Sequence, residues 1–174
     1  MATLTVFTPT YNRAYVLKQC YDSLCRQTCK DFVWLIIDDG SSDNTKEIVE
    51  KWMTKDNGFE IRYVYKKNGG MHTGHNKAYE LIDTELNVCI DSDDFMPDDA
   101  VELIVNFWEE NKDSSYSGII ALDVYKNGQV IGKELPNKKS TTLSGYYQNG
   151  GQGDKKLIYR TEIINKYPPY PEFE

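Results

Sequence analysis

The sequence predicts an α/β fold whose sheet is mostly parallel and turns antiparallel toward the C-terminus. Two patterns carry that reading. Short apolar, β-branched runs alternate with helix-period segments through roughly the first 110 residues, the signature of βαβ units joined by right-handed crossovers. Farther along, "GIIALDVY" and "QVIGKEL" flank Asn127-Gly128, the strongest short hairpin signal in the chain.

The first run, Thr3 to Thr8, is broken by Pro9, and residues 14–26 follow with Val16, Cys20 and Leu24 at helical spacing. "DFVWLIIDDG" is a near-continuous apolar run, as a strand buried on both faces requires, cut off by two aspartates and a glycine. Residues 44–55 then set Ile48, Val49, Trp52 and Met53 on one helical face, with Asn44 and Glu47 fitting a capping box at its start. "IRYVYKK" reads as the third strand, "NGGMHTGHN" as a glycine-bearing loop, residues 76–82 as a helix and "LNVCID" as the fourth strand. Pro97 suits the first turn of a helix that carries Val101, Ile104, Val105 and Trp108 on one stripe. The polar stretch 136–154 reads as a long loop, and "KLIYRTEIINKY" as a short strand or turn running into a helix. The sequence finishes on "YPPYPEFE", a proline-spaced segment with no closing element, so the natural domain is expected to continue past Glu174.

A chain of 174 residues is long enough to bury a real core as one domain. Twenty-seven acidic against twenty basic residues give a net charge of −7, which repels phosphate backbones, and no long basic run offsets it; nucleic acid is not an expected partner. Cys20, Cys25, Cys29 and Cys89 lack paired C-x2-C spacing and no charged-then-apolar leader precedes them, so reduced thiols in a cytoplasmic protein are the simplest reading. No apolar run approaches the eighteen or so residues of a membrane span, which leaves peripheral contact as the one form of membrane association expected.

Ligands of parallel α/β sheets bind beyond the carboxyl ends of the strands. Three unusual stretches fall there: "TPTYNR", "DDGSSD" and "DSDD". Asp91 and Asp93, two apart with small Ser92 between, can offer hard oxygen ligands to Mg2+ or Mn2+, and such a metal would bridge phosphates. The plainer reading has Asp93 and Asp94 capping the next helix and Asp98 and Asp99 in its first turn. Asp38 and Asp39 are explained by a turn, or one of them accepts a hydrogen bond from the imide N–H of a pyrimidine base. Pro9 ends a strand, and Tyr11 either packs or stacks on a base. "NGGMHTGHNKA" matches neither G-x-G-x-x-G nor a phosphate loop. His72 and His75 are three apart but lack a third metal ligand, so they read as polar loop residues, and Cys89 reads as a small buried hydrophobe. Asp38, Asp39 and Asp91 also superficially mimic the acidic pocket of a phosphorylation-receiver domain.

In this order, "VFTPTYNRAYVLKQCYDSLCRQT", "DFVWLIIDDGSSDNT", "NGGMHTGHNKA" and "DSDDFMPDD" closely resemble the family-two glycosyltransferases of the GT-A fold, over about residues 3–110. The resemblance implies a Rossmann-like three-layer sandwich spanning 1–174, with a nucleotide-binding half at about 1–110 and an acceptor-side half at about 111–174 that is incomplete. It implies inverting transfer of a hexosyl or N-acetylhexosaminyl group from a nucleotide-sugar donor, UDP-linked, to an acceptor hydroxyl, as in polysaccharide biosynthesis, with Mn2+ or Mg2+ as cofactor. Position by position, Pro9 and Tyr11 would line the base pocket with Thr8 beside them, and Asp39 would recognise uracil. Asp91, Ser92 and Asp93 would meet the donor, Asp91 and Asp93 through ribose and metal, with Asp94 supporting Asp93. A general base from the later region is expected to act with Asp93: Glu172, Glu174 or a carboxylate outside this sequence. The alternative is a non-catalytic nucleotide or divalent-cation binding domain.

Overall fold

The computed structural model describes residues 2–113, 115–137 and 139–172. Its elements follow in chain order: β1 (Leu4–Thr10), α1 (Ala14–Cys25), β2 (Phe32–Asp38), α2 (Thr45–Met53), β3 (Glu60–Tyr65), α3 (Met71–Leu81), β4 (Leu86–Cys89), α4 (Ala100–Asn111), β5 (Gly118–Leu122), α5 (Leu143–Gln148), β6 (Lys155–Arg160) and α6 (Thr161–Ile164). The six strands form one sheet in the order β3-β2-β1-β4-β6-β5. β1 pairs in parallel with β2 and β4, and β2 with β3, whereas β6 runs antiparallel to both β4 and β5.

Strand alternation sorts side chains between two helical layers. Leu4, Val6, Phe32, Trp34, Ile36, Leu86 and Val88 point into one core, which Leu17, Leu24, Val49, Trp52, Val101, Ile104 and Trp108 of α1, α2 and α4 complete. Phe7, Leu35 and Ile37 point the other way, against Ala78 and Ile82 of the α3 segment. Helices therefore cover both faces, which is why β2 reads as a continuous apolar run rather than an alternating one. Tyr21 stacks on Trp52 at 4.3 Å between ring centroids, tying α1 to α2.

Four expectations shift. First, α3 starts at Met71 rather than Asn76: Gly70, at φ +91°, supplies the turn that launches it. The glycine inside it, Gly74, is buried and brings the helix against Pro9 and Ile37. Second, the Asn44/Glu47 capping box is absent, since Asn44 makes no side-chain cap bond; Asp43 instead accepts from the backbone N–H and hydroxyl of Thr45. Third, the Asn127-Gly128 turn closes a hairpin of one bridge, Val124 to Val130. Gly132, at φ +78°, and Pro136 end its second arm, and β5 pairs with β6 instead. Fourth, the stretch read as a long loop holds α5, whose Thr142 hydroxyl accepts from the Gly145 N–H at 2.9 Å.

The strand order, with two antiparallel strands beyond β4, is not the 2-1-3-4-5 arrangement of receiver domains, which removes that reading. Among the described residues no helix is long and apolar enough to cross a membrane.

Candidate functional site

From β1 the chain crosses to β2 on one side, while β4 lies on the other, so the sheet reverses its winding between β1 and β4. The carboxyl ends of these strands open a crevice at that point. Asn12 holds a left-handed backbone at φ 53°, a conformation asparagine tolerates better than most side chains. From there its Oδ1 accepts the N–H groups of Ser42 at 2.7 Å and Asp43 at 3.2 Å, and its own N–H donates to Ser41 Oγ at 2.8 Å. Arg13 Nη1 reaches Asp93 Oδ2 at 3.2 Å, and Gln19 Nε2 donates to the Asp93 carbonyl at 2.9 Å. The loops after β1, β2 and β4 are thus laced together by two consecutive residues.

The two aspartates after β2 differ. Asp38 is fully buried and accepts from the Ser41 N–H and the Tyr63 hydroxyl. Burial, reinforced by that bond to Asp38, pushes the Tyr63 hydroxyl well above the usual phenol range. Asp39 is 4% exposed. Its Oδ1 accepts from Lys66 Nζ and the Gly69 N–H at 3.0 Å, and its Oδ2 from the Gly70 N–H at 2.8 Å and Asn68 Nδ2 at 3.1 Å. One carboxylate therefore organises the whole 66–70 turn into α3. A Cβ at Gly40 would come within 2.8 Å of the Asn68 backbone nitrogen, so this close approach needs glycine there, at φ +87°.

Of the other sequence-predicted donor residues, Tyr11 is half-exposed at the crevice mouth and Pro9 is partly buried against α3. Thr8 lies inside: it is fully buried, and its hydroxyl accepts from the indole N–H of Trp34 at 3.0 Å. Ser92 is buried, whereas Asp91 and Asp93 are exposed. Neither Asp93 nor Asp94 caps α4, which begins after Asp99 with no side-chain cap bond. Asp98 accepts from Arg26 Nε at 3.0 Å, a structural role.

Negative charge gathers beside the crevice. Burial, with Asp91, Asp93 and Asp123 nearby, pushes the Asp94 carboxyl up against the opposing pull of Lys156. Burial raises Asp123 likewise, despite Lys156 at 3.9 Å. Among the described residues no three His, Cys, Asp or Glu side chains form a ready-made metal cage. Two carboxylates suit Mg2+ or Mn2+ nonetheless, because these ions take one or two protein oxygens and complete their shell with phosphate and water. A cation there would also relieve the repulsion that adds to burial in raising Asp94. Asp91 and Asp93 therefore fit the ion, with Asp93 shared with Arg13.

On the other side of β4, His75 is a helical residue packed among rings rather than a loop histidine. Phe7, Tyr79 and Tyr170 each meet it edge-on, at 5.2, 6.0 and 6.0 Å. Its Nε2 lies 3.8 Å from Cys89 Sγ, its Nδ1 is buried without a hydrogen-bond partner, and burial pulls its pKa down against the opposing charge of Asp91. Cys89 is partly exposed; burial still pushes its thiol up to about 12, and its Sγ sits 4.0 Å from Asp91 Oδ1. The C-terminal segment returns here, where Asn76 Nδ2 donates to Glu172 Oε1 at 3.2 Å. Glu174 lies outside the described residues. Sequence reasoning missed Lys66, Asn68, Tyr63 and Asn76. Tyr63, Lys66 and Asn68, in and just after β3, carry no spacing signal until the fold sets them against Asp38 and Asp39, and Asn76 of α3 none until the C-terminal segment returns to it.

The sequence profile of glycosyl transferase family 2 matches residues 5–167. The chain belongs to glycosyl transferase family 2. It is 31% identical over 144 residues to a chondroitin synthase of Pasteurella multocida (strain Pm70), a match covering 80% of this chain and 15% of that protein. It is 34% identical over 130 residues to a chondroitin synthase of Escherichia coli, covering 74% and 18%. The chain thus spans less than a fifth of these curated relatives. Among solved structures, S. aureus TarS 1–349 in complex with UDP superposes with a TM-score of 0.73 at 25% identity, over 95% of this chain and 48% of that 1–349 chain. A mannosyltransferase, PcManGT from Pyrobaculum calidifontis, in complex with GDP-Man and Mn2+, shares the fold with a TM-score of 0.69 at 17% identity, over 97% of this chain and 47% of that one. The sheet is the GT-A sandwich of these glycosyltransferases, mostly parallel with antiparallel C-terminal strands.

Proposed function

We propose that this glycosyltransferase domain binds a UDP-linked sugar in the crevice between β1 and β4 and passes the sugar to an acceptor hydroxyl with inversion. The observation that carries the reading is the pairing of Arg13 with Asp93 while Asn12 binds residues 41–43, which brings the "TPTYNR", "DDGSSD" and "DSDD" loops to one crevice. The UDP complex of its structural neighbour TarS supports a uridine donor for this chain.

In this mechanism Tyr11 stacks on the base at the crevice mouth and Pro9 walls the pocket. Asp39 serves the base by fixing the 66–70 turn and accepts the uracil imide where Asn68 yields its bond. Asp91 and Asp93 would hold the divalent cation, Mn2+ or Mg2+, whose charge would offset that of the diphosphate leaving group. Arg13, 3.2 Å from Asp93 Oδ2, would add a second positive charge at the same place. The acceptor oxygen attacks the anomeric carbon as the bond to the diphosphate oxygen breaks, and the hydroxyl proton passes to a carboxylate of the C-terminal segment, Glu172 or Glu174. Single displacement from the opposite face inverts the configuration.

The test is a thermal melt with Mn2+ and UDP, separately and together. Ligand at a hundredfold excess over its Kd stabilises a fold by about 2.7 kcal/mol, so a clear rise in Tm is expected with both present. Asp91→Asn should abolish the dependence on Mn2+. No shift in the wild-type chain would overturn the assignment.

A further inference from the structure

We propose that Asn76 is a positioning residue: its carboxamide clasps the backbone of Tyr170 and holds the acidic C-terminal segment against the donor crevice. The inference rests on the glycosyltransferase reading above and adds to it the device that delivers the segment's carboxylate.

The geometry is a two-point grip. Tyr170 N–H donates to Asn76 Oδ1 at 2.8 Å, and Asn76 Nδ2 donates to the Tyr170 carbonyl at 2.9 Å. A side-chain amide here pairs with a peptide as a neighbouring strand would, donor to acceptor and acceptor to donor. The same Nδ2 reaches Glu172 Oε1 at 3.2 Å. One carboxamide therefore fixes both the path of the segment and the carboxylate it carries, across 94 to 96 residues of sequence.

The sequence of the segment makes the grip selective. From Pro168 to Pro171 the chain reads Pro-Pro-Tyr-Pro, and proline has no backbone N–H. Tyr170 supplies the sole backbone donor in that stretch, and the fold gives it to Asn76. The three prolines also hold the flanking backbone extended, so little entropy is lost when the segment docks. A hydrogen-bonding alternative such as a helix is closed to it.

The docked segment abuts the crevice through a chain of contacts. The Tyr170 ring meets His75 at 6.0 Å, His75 Nε2 meets Cys89 Sγ at 3.8 Å, and Cys89 Sγ meets Asp91 Oδ1 at 4.0 Å. Asn76 and His75 are neighbours on α3, and the preceding residue, Gly74, packs on Pro9 of the base pocket. The clasp thus stands on the helix that also forms a wall of the donor site, so positions of base and carboxylate are set by one rigid element. Displacement of a reacting group by an ångström is enough to cost a large factor in rate.

The experiment uses the whole chain with Asn76→Ala and Asn76→Asp. 15N-tyrosine labelling follows hydrogen exchange at the Tyr170 amide, calorimetry follows UDP with Mn2+, and UDP release from a panel of UDP-hexoses gives kcat and KM. Asn76→Ala should speed Tyr170 exchange on the order of tenfold and lower kcat on the order of tenfold or more, with UDP affinity and KM unchanged. Asn76→Asp keeps the acceptor for the Tyr170 N–H but loses Nδ2 and faces Glu172 with a like charge, so it should retain slow exchange and still lose kcat. Unchanged Tyr170 exchange in Asn76→Ala overturns the clasp, and so does fast exchange with unchanged kcat. If the wild-type chain neither binds UDP nor releases it from any donor, the glycosyltransferase reading fails, and the clasp is decided by the exchange rates alone.

Discussion

Tyr63, on edge strand β3, donates a hydrogen bond from its hydroxyl to the Oδ2 of Asp38, a carboxylate with no exposed surface at the end of the neighbouring strand β2. The other oxygen of Asp38 holds the Ser41 N–H at 2.7 Å. Asp38 is thus consumed by the structure, and its role is to shape the turn that presents Asp39. Tyr63→Phe removes one partner of a buried acceptor and should cost about 1–3 kcal/mol in urea denaturation. UDP binding should weaken much less, since no ligand contact is lost. A destabilisation below a few tenths of a kcal/mol would show that water replaces the hydroxyl freely.

Asp39 makes a sharper prediction because it faces a cation. Its side chain is 6% exposed and that of Lys66 20%, so the pair is well shielded from solvent. Asp39→Asn leaves the ammonium without a counter-charge and turns an N–H2 toward glycine N–H groups that already donate. Removing one partner of a buried pair typically costs about 3 kcal/mol or more. Here the loss should fall jointly on stability and on UDP affinity, because in the proposed donor site the turn from Lys66 to Gly70 lies on the base side. Equilibrium unfolding and calorimetry on the same preparation would separate the two. Normal stability with lost affinity would mean that Asp39 reads the base and does little for the turn.

Thr8 carries the opposite expectation. The family resemblance sets it beside the base, but the alternation of β1 turns it inward, where Trp34 donates to its hydroxyl. Thr8→Val conserves shape and strands a buried indole N–H, so stability should fall by about 1–3 kcal/mol while UDP affinity stays unchanged. A selective loss of UDP binding would restore Thr8 to the donor site.

These cases mark what a sequence can disclose. Strand β2 was legible because burial on both faces demands an unbroken apolar run, Val33 to Ile37, and β1, β3 and β4 as short apolar, β-branched or aromatic runs between turn residues; the loops beyond them announced themselves by sudden clusters of Asp, Gly and Asn. The parallel order follows from alternation with helices. Where two structural solutions compete for the same residues, legibility ends. The Asn127-Gly128 turn is real, yet β5 takes β6 as its partner, a choice settled by burial of Ile158 far along the chain. Gly69, Gly70 and Gly74 looked like loop residues, but Gly70 launches α3 and Gly74 lets it approach Pro9. Asn76 gave no signal because its partners lie 94 residues away. The neighbours of His75 were likewise invisible, and they give it a measurable consequence.

His75 should make the fold acid-sensitive. Burial among Phe7, Tyr79 and Tyr170 disfavours the imidazolium, and the opposing charge of Asp91 only partly offsets this, so its pKa lies below the ordinary value of 6.5. Below 6.5 the unfolded chain takes up a proton that the folded one resists. Stability contributed by neutral His75 is therefore full above that pH and declines as pH falls toward the folded pKa, with a slope of at most about 1.4 kcal/mol per pH unit. The buried Nδ1 has no partner to reward protonation, which removes the usual compensation. His75→Phe keeps a ring against Phe7 and Tyr79 and cannot titrate, so urea midpoints measured from pH 7.5 to 5.0 should fall less steeply than in the wild type. If His75→Phe retains the full wild-type slope, the proton uptake belongs to another group, and the packing of His75 has no bearing on acid stability.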